Sequence, residues 1–281
     1  MDTIEAPGLS AAWLNGWLAA LGITILVPGT TLRWAGDPRP SAILQAPNLI
    51  EQLVNVFPTI DDLKALAIAR QSPTAPIEFT RKVSTEAYTS RAGLARFGDH
   101  SLAATVTDLA PREDERIAHS PFDPTAPNGR TIHQRLARCR EAITDIEPRL
   151  LGSLNGNGER AQMNGLGFDY SRLFAPTIPS GQVWCDPVIE ILAFYGLSYI
   201  PVRGDGHRIR TRGWEGPATR RGSFTWPTWA PALNTSAIDA LLDRFWSGGE
   251  RHIAAAAFRS VAYQPRGRPD PTRAFASERM L

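Results

Sequence analysis

Residues 9–22 of this chain read Leu-Ser-Ala-Ala-Trp-Leu-Asn-Gly-Trp-Leu-Ala-Ala-Leu-Gly, and the fold can be predicted outward from them. The large apolar residues recur every four positions, which is the spacing of one face of an α-helix. These residues are Leu9, Trp13, Trp17 and Leu21. Gly22 then stands where a helix C-cap commonly lies. Ile23–Val27 is rich in β-branched apolar residues, which predicts a buried strand after the helix.

The chain continues with signals for two more strands and a second helix. Pro28-Gly29 and Gly36-Asp37-Pro38 predict turns on either side of a strand at residues 31–34. Residues 41–45 predict a third short strand. Asn48 precedes an apolar-periodic segment, so we expect it to cap a helix that reaches Phe57.

The same order of signals returns near the C-terminus. Pro187–Tyr195 predicts a helix with proline in its first turn and Gly196 as its cap. The later elements are a strand at 197–202, a return strand at 207–212, a strand at 223–226 and a helix capped by Asn234. Both copies therefore read helix, glycine, strand, turn, strand, strand, helix. This order predicts an α+β protein built either from two duplicated helix-sheet units or from one continuous antiparallel sheet.

These patterns divide the chain into four parts. The predicted parts are a first helix-sheet unit at 1–57, a polar helical and loop insert at 58–180, a second helix-sheet unit at 181–263, and a Pro/Arg-rich tail at 264–281. Within the insert we expect helices at 60–70 and 131–146 and a strand at 77–83. Gly165-Leu-Gly167 in the insert lacks the third glycine of a dinucleotide motif and predicts a turn.

Composition favours a reduced, intracellular protein with a sizeable core. Of the 281 residues, 43% are hydrophobic and 21% are charged, as in ordinary globular proteins. Cys139 and Cys185 are isolated in sequence, so we expect small buried thiols and no disulfide framework. Residues 9–27 are almost long enough to cross a bilayer, but Asp2 and Glu5 precede them where a signal peptide carries basic residues. We therefore expect a cytoplasmic protein with no membrane span.

Tryptophan placement gives a further expectation about the core. Trp13, Trp17, Trp184 and Trp246 lie in apolar-periodic surroundings, which predicts that all four are buried. Trp226 and Trp229 flank a Pro-Thr pair in a proline-bounded segment. This second pair could lie under the following helix or, if exposed, could dock a partner.

Arginine is the dominant basic residue. Of the 30 lysines and arginines only Lys64 and Lys82 are lysines, although the net charge is just +2. A GC-rich genome would produce this bias, and so would selection for a guanidinium that binds phosphate or carboxylate in a bidentate manner. Composition by itself favours the genomic explanation.

One arginine-rich segment nevertheless predicts contact with nucleic acid. Residues 203–221 hold six arginines against Asp205 and Glu215, a balance of +4, and Trp214 lies among them. Positions 208, 210 and 212 alternate along a predicted strand, so their side chains would share a face and could follow a phosphate backbone. The predicted nucleic-acid-binding residues are Arg203, Arg208, Arg210, Arg212, Trp214, Arg220 and Arg221, with Arg266 and Arg268 in the tail. The alternatives are a solvated strand edge and a protein-binding surface.

The sequence offers little for catalysis. It has no G-x-S-x-G elbow, no S-x-x-K pair and no phosphate-binding G-x-x-x-x-G-K-[ST] loop. The nearest approach to a metal site is the trio His100, His119 and Asp123, which would suit a metal-dependent hydrolase or nuclease if the fold brought the three together. We expect a protein that is not an enzyme and that holds no metal or cofactor, and we keep that hydrolase as the alternative.

Four segments resemble proteins encoded in CRISPR loci of subtype I-G, formerly I-U. They are Leu14-Asn-Gly-Trp-Leu-Ala-Ala-Leu-Gly22, Asp186-Pro-Val-Ile-Glu-Ile-Leu-Ala-Phe-Tyr-Gly196, Phe224-Thr-Trp-Pro-Thr-Trp229 and Pro265-Arg-Gly-Arg-Pro-Asp-Pro-Thr-Arg273. The chain is most similar to the accessory family described as an extension of the helicase-nuclease subunit, followed by the large-subunit-like proteins of those loci. The resemblance covers both units and the tail but not the insert.

This resemblance implies an accessory part of a crRNA-guided antiviral machine that acts by binding. Its partners would be RNA or DNA, sister effector subunits, or both, including a helicase-nuclease that performs any cleavage. The family supplies no catalytic residues that could be transferred to positions of this chain. A protein that only binds other proteins remains a third interpretation.

Overall fold

We analysed a computed structural model of the chain, which describes residues 2–63, 106–111, 117–119, 122, 132–163, 165–169, 184–200, 202–204, 209–216, 222–248, 253–263 and 274–280. Helices accompany small antiparallel sheets, so the predicted α+β class is confirmed. The strand predicted at 77–83 lies outside the described residues.

The first sheet contains three antiparallel strands in the order β1-β3-β2. They are β1 (Asp2–Ser10), β2 (Thr31–Ala35) and β3 (Ser41–Ala46). Strands β2 and β3 were predicted, whereas β1 was missed because Leu9 was assigned to the following helix. Leu9 instead lies fully buried near the end of β1, and Ser10 pairs with Ser41 after a register shift.

Helix α1 (Leu14–Leu26) has different ends from the helix predicted to run from Leu9 to Gly22. It continues through Gly22, so the predicted cap at Gly22 and the predicted strand at 23–27 are both wrong. A buried glycine in a helix is explained here by packing, because a Cβ atom at Gly22 would lie 2.9 Å from the carbonyl carbon of Leu192. Gly22 therefore allows a second helix to pack closely against α1, and it does not end α1.

Helix α2 (Leu49–Val56) follows the first sheet as predicted. Asn48 occupies its N-cap position, but it adopts a left-handed conformation (φ 46°) and its side chain makes no capping hydrogen bond. Its backbone N–H instead donates to the Asp2 carboxylate at 2.8 Å. Residues 60–63 are helical, and there Thr59 and Asp62 hydrogen-bond each other reciprocally at the first turn.

Beyond residue 63, the described part of the insert contains two short helices. The single helix predicted at 131–146 is divided into α3 (Ile132–Glu141) and α4 (Ile146–Leu154). Strands β4 (Val106–Pro111) and β5 (Ile117–His119) form one antiparallel ladder. Strands β6 (Ala161–Gln162) and β7 (Trp184–Cys185) form another, which joins the insert to the second unit. The predicted turn at 165–167 is confirmed.

Helix α5 (Pro187–Gly196) opens the second unit, and its start agrees with the sequence. The side chain of Asp186 accepts a hydrogen bond from Val188 N at 2.9 Å, and Pro187 occupies the first turn. The chain continues into a 3₁₀ turn, Leu197–Tyr199, so the strand predicted at 197–202 is wrong. A strand begins only at β8 (Val202–Gly204), which pairs with β9 (Ile209–Thr211).

The second sheet has four antiparallel strands in the order β10-β11-β12-β13. They are β10 (Trp214–Glu215), β11 (Ser223–Thr228), β12 (Ala256–Tyr263) and β13 (Ala274–Met280). Helix α6 (Thr235–Trp246) follows β11, and the predicted Asn234 cap is confirmed because its side chain accepts from Ala237 N at 3.0 Å.

Buried residues from both of the predicted helix-sheet parts, 1–57 and 181–263, belong to one hydrophobic core. Helices α1 and α5 run antiparallel through it, with Gly22 against Leu192 and Gly196 against Leu18. Three buried indole N–H groups donate between the units, as expected for tryptophan in a core. The bonds are Trp17 to Pro227 O at 2.9 Å, Trp226 to Ala11 O at 2.8 Å and Trp229 to Leu32 O at 2.8 Å.

The burial of the tryptophans differs in part from the prediction. Trp226 and Trp229 are fully buried, so an exposed docking pair is excluded. Trp184 is 48% exposed, which corrects its predicted core position. It lies in the two-residue strand β7, where alternation sends Cys185 inward and Trp184 outward.

Within the described ranges, no helix has both the length and the apolar character needed to cross a bilayer.

Candidate nucleic-acid interface and a buried sulfur cluster

The ribbon formed by β8 and β9 brings two of the predicted binding residues together. Its register pairs Val202 with Thr211, Arg203 with Arg210 and Gly204 with Ile209. Positions directly opposite each other in an antiparallel ladder lie on the same face. Arg203 and Arg210 therefore occupy one face of this ribbon, although seven positions separate them in sequence.

Arg212 lies just beyond β9, in a turn, and its guanidinium is already bound within the protein. Its two terminal nitrogens lie 2.6 Å from carboxylate oxygens of Asp239 and Asp243, which are one helical turn apart on α6. It also donates to Tyr199 O at 3.1 Å and lies 5.5 Å from the centre of the Trp246 ring. The side chain is only 8% exposed. These contacts tie the end of the ribbon to α6 and leave Arg212 poorly placed to bind phosphate.

Trp214 is half-buried in the short strand β10. Its ring makes an edge contact with the buried ring of Phe122, with centroids 5.5 Å apart. Part of its surface is therefore used in core packing, and the remaining part could still receive a base.

The other predicted binding residues are not placed by the structure. Arg208, Arg220, Arg221, Arg266 and Arg268 lie outside the described residues. The shared face proposed for positions 208, 210 and 212 therefore remains a prediction for Arg208.

The alternative metal site can be located only in part. His119 ends β5 and its backbone pairs with Val106, whereas His100 and Asp123 lie outside the described ranges. Among the residues that are described, no three His, Cys, Asp or Glu side chains lie close enough to share a metal ion.

An open cleft of about 510 Å³ lies between β1 and α2. Its acidic lining residues are Asp2, Glu51 and Glu147. Its apolar lining comes from Ile4, Ile50 and Val54. No arginine or lysine is among the described residues that line it. Three carboxylates in the described lining would repel phosphate, so this cleft is a poor site for nucleic acid.

A second cluster, which the sequence did not reveal, joins three sulfur atoms inside the protein. Cys139 on α3 and Cys185 on β7 are both fully buried, as predicted for small apolar side chains. They are not isolated in space, since Cys185 is hydrogen-bonded to Cys139. The Cys139 Sγ also lies 3.5 Å from the Sδ of Met163, which follows β6. We call Cys139, Met163 and Cys185 the sulfur cluster.

Acidic and basic side chains surround this cluster. The Glu190 carboxylate on α5 is fully buried and accepts a hydrogen bond from the backbone N–H of Leu166. Arg135 on α3 donates to Gly165 O at 2.9 Å. A Cβ atom at Gly165 would lie 2.5 Å from Glu190 and 3.0 Å from the Cys185 sulfur, so only glycine fits between them.

The same surroundings hold the Cys185 thiol protonated. The hydrogen bond with Cys139, followed by burial and the nearby Glu190 carboxylate, raises the pKa of the Cys185 thiol well above its ordinary value. Asp169 adds to this effect, although its carboxylate is paired with Arg160 at 2.5 Å. A neutral thiol is a poor nucleophile, so this cluster is not suited to covalent catalysis.

Sequence inspection could not find the sulfur cluster because its members are far apart in the chain. Cys139 and Cys185 are separated by 46 positions, and methionine at 163 is an ordinary core residue by type. The β6–β7 ladder, which pairs Ala161 with Cys185, is the contact that brings them together. A two-residue ladder leaves almost no signal in the sequence.

Comparison with known proteins gives no family for this chain. No protein-family model matches it, and no curated protein is significantly similar to it. The functional assignment therefore rests on the resemblance of its motifs and on the arrangement of its residues.

Proposed function

We propose that this protein is a non-catalytic accessory subunit of a cytoplasmic CRISPR antiviral complex of the I-G kind. It contacts RNA or DNA through the β8–β9 ribbon and docks against sister effector subunits, which include a helicase-nuclease. The class of complex comes from the resemblance of the helix, strand and tail motifs. The binding role comes from the arginines.

The observation that carries the binding role is the pairing of Arg203 with Arg210 across the ribbon. Two like charges directly opposite each other destabilise a strand pair unless an anion lies between or near them. A phosphate backbone supplies such anions at regular spacing and accepts bidentate hydrogen bonds from guanidinium groups. The position of Arg203 opposite Arg210 therefore favours phosphate binding over a role in stabilising the ribbon.

The anchoring of Arg212 supports the same role indirectly. Its bonds to Asp239 and Asp243 fix the residue next to β9 against a packed helix. A ribbon held in this way loses little conformational freedom when it binds a ligand, which favours affinity. On this proposal Arg212 positions the ribbon, and Arg203 and Arg210 make the contact.

The test is binding of labelled single- and double-stranded RNA and DNA by the purified chain across a salt series. The variant R203E/R210E should bind more weakly and should show a shallower salt dependence. Removing two phosphate contacts lowers the slope of log K against log salt by about 1.4 for single strands and about 1.8 for duplex DNA. R138E is the matched control, because Arg138 is exposed on α3, a helix outside the ribbon.

The outcomes separate the three interpretations. Unchanged binding by R203E/R210E, with folding intact, would remove the ribbon from the interface. Absence of binding to every nucleic acid, together with a stable complex with sister subunits, would identify a protein-interaction module. Metal-dependent cleavage that is lost in H119A would instead support the hydrolase built on His100, His119 and Asp123.

A further inference from the structure

We propose that the sulfur cluster of Cys139, Met163 and Cys185 is a binding site for a soft monovalent metal ion, with Cu(I) as the ion of choice. This inference stands on different residues from the nucleic-acid interface and does not depend on it. The proposal concerns two thiols and one thioether that three separate segments, α3, the residue after β6 and β7, bring to one place.

The distances suit a shared ion. Sulfur ligands lie about 2.3 Å from a bound metal, so two of them on one ion are roughly 3.5–4 Å apart at bond angles of 100–120°. The Cys139 and Met163 sulfurs are 3.5 Å apart. The Cys185 thiol is hydrogen-bonded to Cys139, which places the third sulfur in contact with the first. The three sulfurs are therefore linked by two contacts that meet at Cys139.

The ligand types select the ion. Thiolate and thioether sulfurs are soft ligands, and that combination favours Cu(I). Hard ions such as Mg²⁺ and Ca²⁺ require several oxygens instead. Zinc usually takes four Cys or His ligands, and no third such side chain joins the cluster within the described ranges.

The turn beside the sulfur cluster is held in place by packing and by a hydrogen bond. Only glycine fits at position 165, between the Cys185 sulfur and the Glu190 carboxylate. Arg135 fixes the same turn by its bond to Gly165 O. Both cysteines are fully buried, whereas Met163 is only partly buried, so an ion could reach the thiols past the thioether.

Binding involves proton release rather than oxidation. Each thiol loses its proton to solvent as a sulfur–copper bond forms, and the copper remains Cu(I) throughout.

The experiment is an anaerobic titration of the fully reduced full-length protein with Cu(I) in competition with a chromogenic Cu(I) chelator. The wild type should withdraw one equivalent of copper per chain and develop near-ultraviolet thiolate-to-copper absorption. C139A and C185A should lose this stoichiometric binding. M163L, which keeps the volume of the side chain, should weaken binding on the order of 10- to 100-fold.

The control is M280L, which changes the methionine at the end of β13 and should bind copper like the wild type. If the cysteine variants fail to fold, M163L still tests the proposal. Failure of the wild type to compete for Cu(I) would overturn it. So would an affinity that is unchanged in M163L.

Discussion

Gly22 lies directly against the backbone of Leu192, and this contact sets the distance between the two central helices. A Cβ atom at Gly22 would overlap the Leu192 carbonyl and would lie 3.0 Å from the backbone nitrogen of Gly196. Gly196 makes the reciprocal approach to Leu18. Two glycines at opposite ends of the contact thus allow α1 and α5 to pack backbone to backbone.

We expect G22A to lower the free energy of unfolding by at least about 2 kcal/mol, because overpacking at a backbone contact forces the helices apart. The matched control is G152A on α4, where the nearest atom to an added Cβ is 3.5 Å away. That change should stabilise the protein by about 0.5–1 kcal/mol through helix propensity. Chemical denaturation of both variants measures the difference. Equal effects would show that the close approach is not required.

Replacing Arg212 should affect stability rather than nucleic-acid binding. R212M removes the bonds to the carboxylates of Asp239 and Asp243 and to two backbone carbonyls, and it leaves a long apolar side chain at this position. We expect a loss of about 1–3 kcal/mol in unfolding free energy, since hydrogen bonds to charged groups contribute in that range. R138M serves as the exposed control. A large decrease in the salt slope of R212M, with stability unchanged, would instead make Arg212 a phosphate ligand.

Asp186 gives a prediction about pH. Burial raises the pKa of its carboxyl, although Val188 N and Ile189 N donate to it at the start of α5. The folded state therefore favours the protonated form. The stability that this group contributes is greatest below the ordinary aspartate pKa of about 3.9 and falls as pH rises through the raised folded-state pKa.

D186N should remove this dependence, because asparagine caps a helix about as well as aspartate but carries no charge. The stability of D186N relative to the wild type should increase with pH above about 4 and then level off. D186A, which loses the cap, should cost about 1 kcal/mol. Denaturation curves at a series of pH values provide the measurement. A wild-type advantage that grows with pH would contradict the sign of the shift.

The indole bonds between the two units should contribute measurably to stability. W226F removes the hydrogen bond to Ala11 O and leaves a gap in a fully buried site. We expect a loss of about 1–3 kcal/mol from the missing bond and the cavity together. W184F, at a position that is 48% exposed, should change stability by no more than about 0.5 kcal/mol. Thermal melts of the two variants would show whether the buried bond matters.

Short sequence patterns correctly predicted those helix and strand ends that depend on residues nearby in the chain. The Asp186-Pro187 start of α5 and the Asn234 cap of α6 follow from side chains that satisfy nearby backbone N–H groups. Strands β2 and β3 lie between turns marked by proline and glycine. Gly22 misled the prediction because a glycine that ends a helix and one that admits a neighbouring helix look the same in sequence.

The sequence by itself determined the α+β class, most helix starts, the burial of Cys139 and Cys185, and the presence of an arginine-rich segment. Only the tertiary structure decided which of those residues meet. It placed Arg203 opposite Arg210, bound Arg212 to α6, and brought Met163 to the two thiols. Periodicity and capping act over one or two turns of chain, whereas these contacts join positions that only packing and strand pairing bring together.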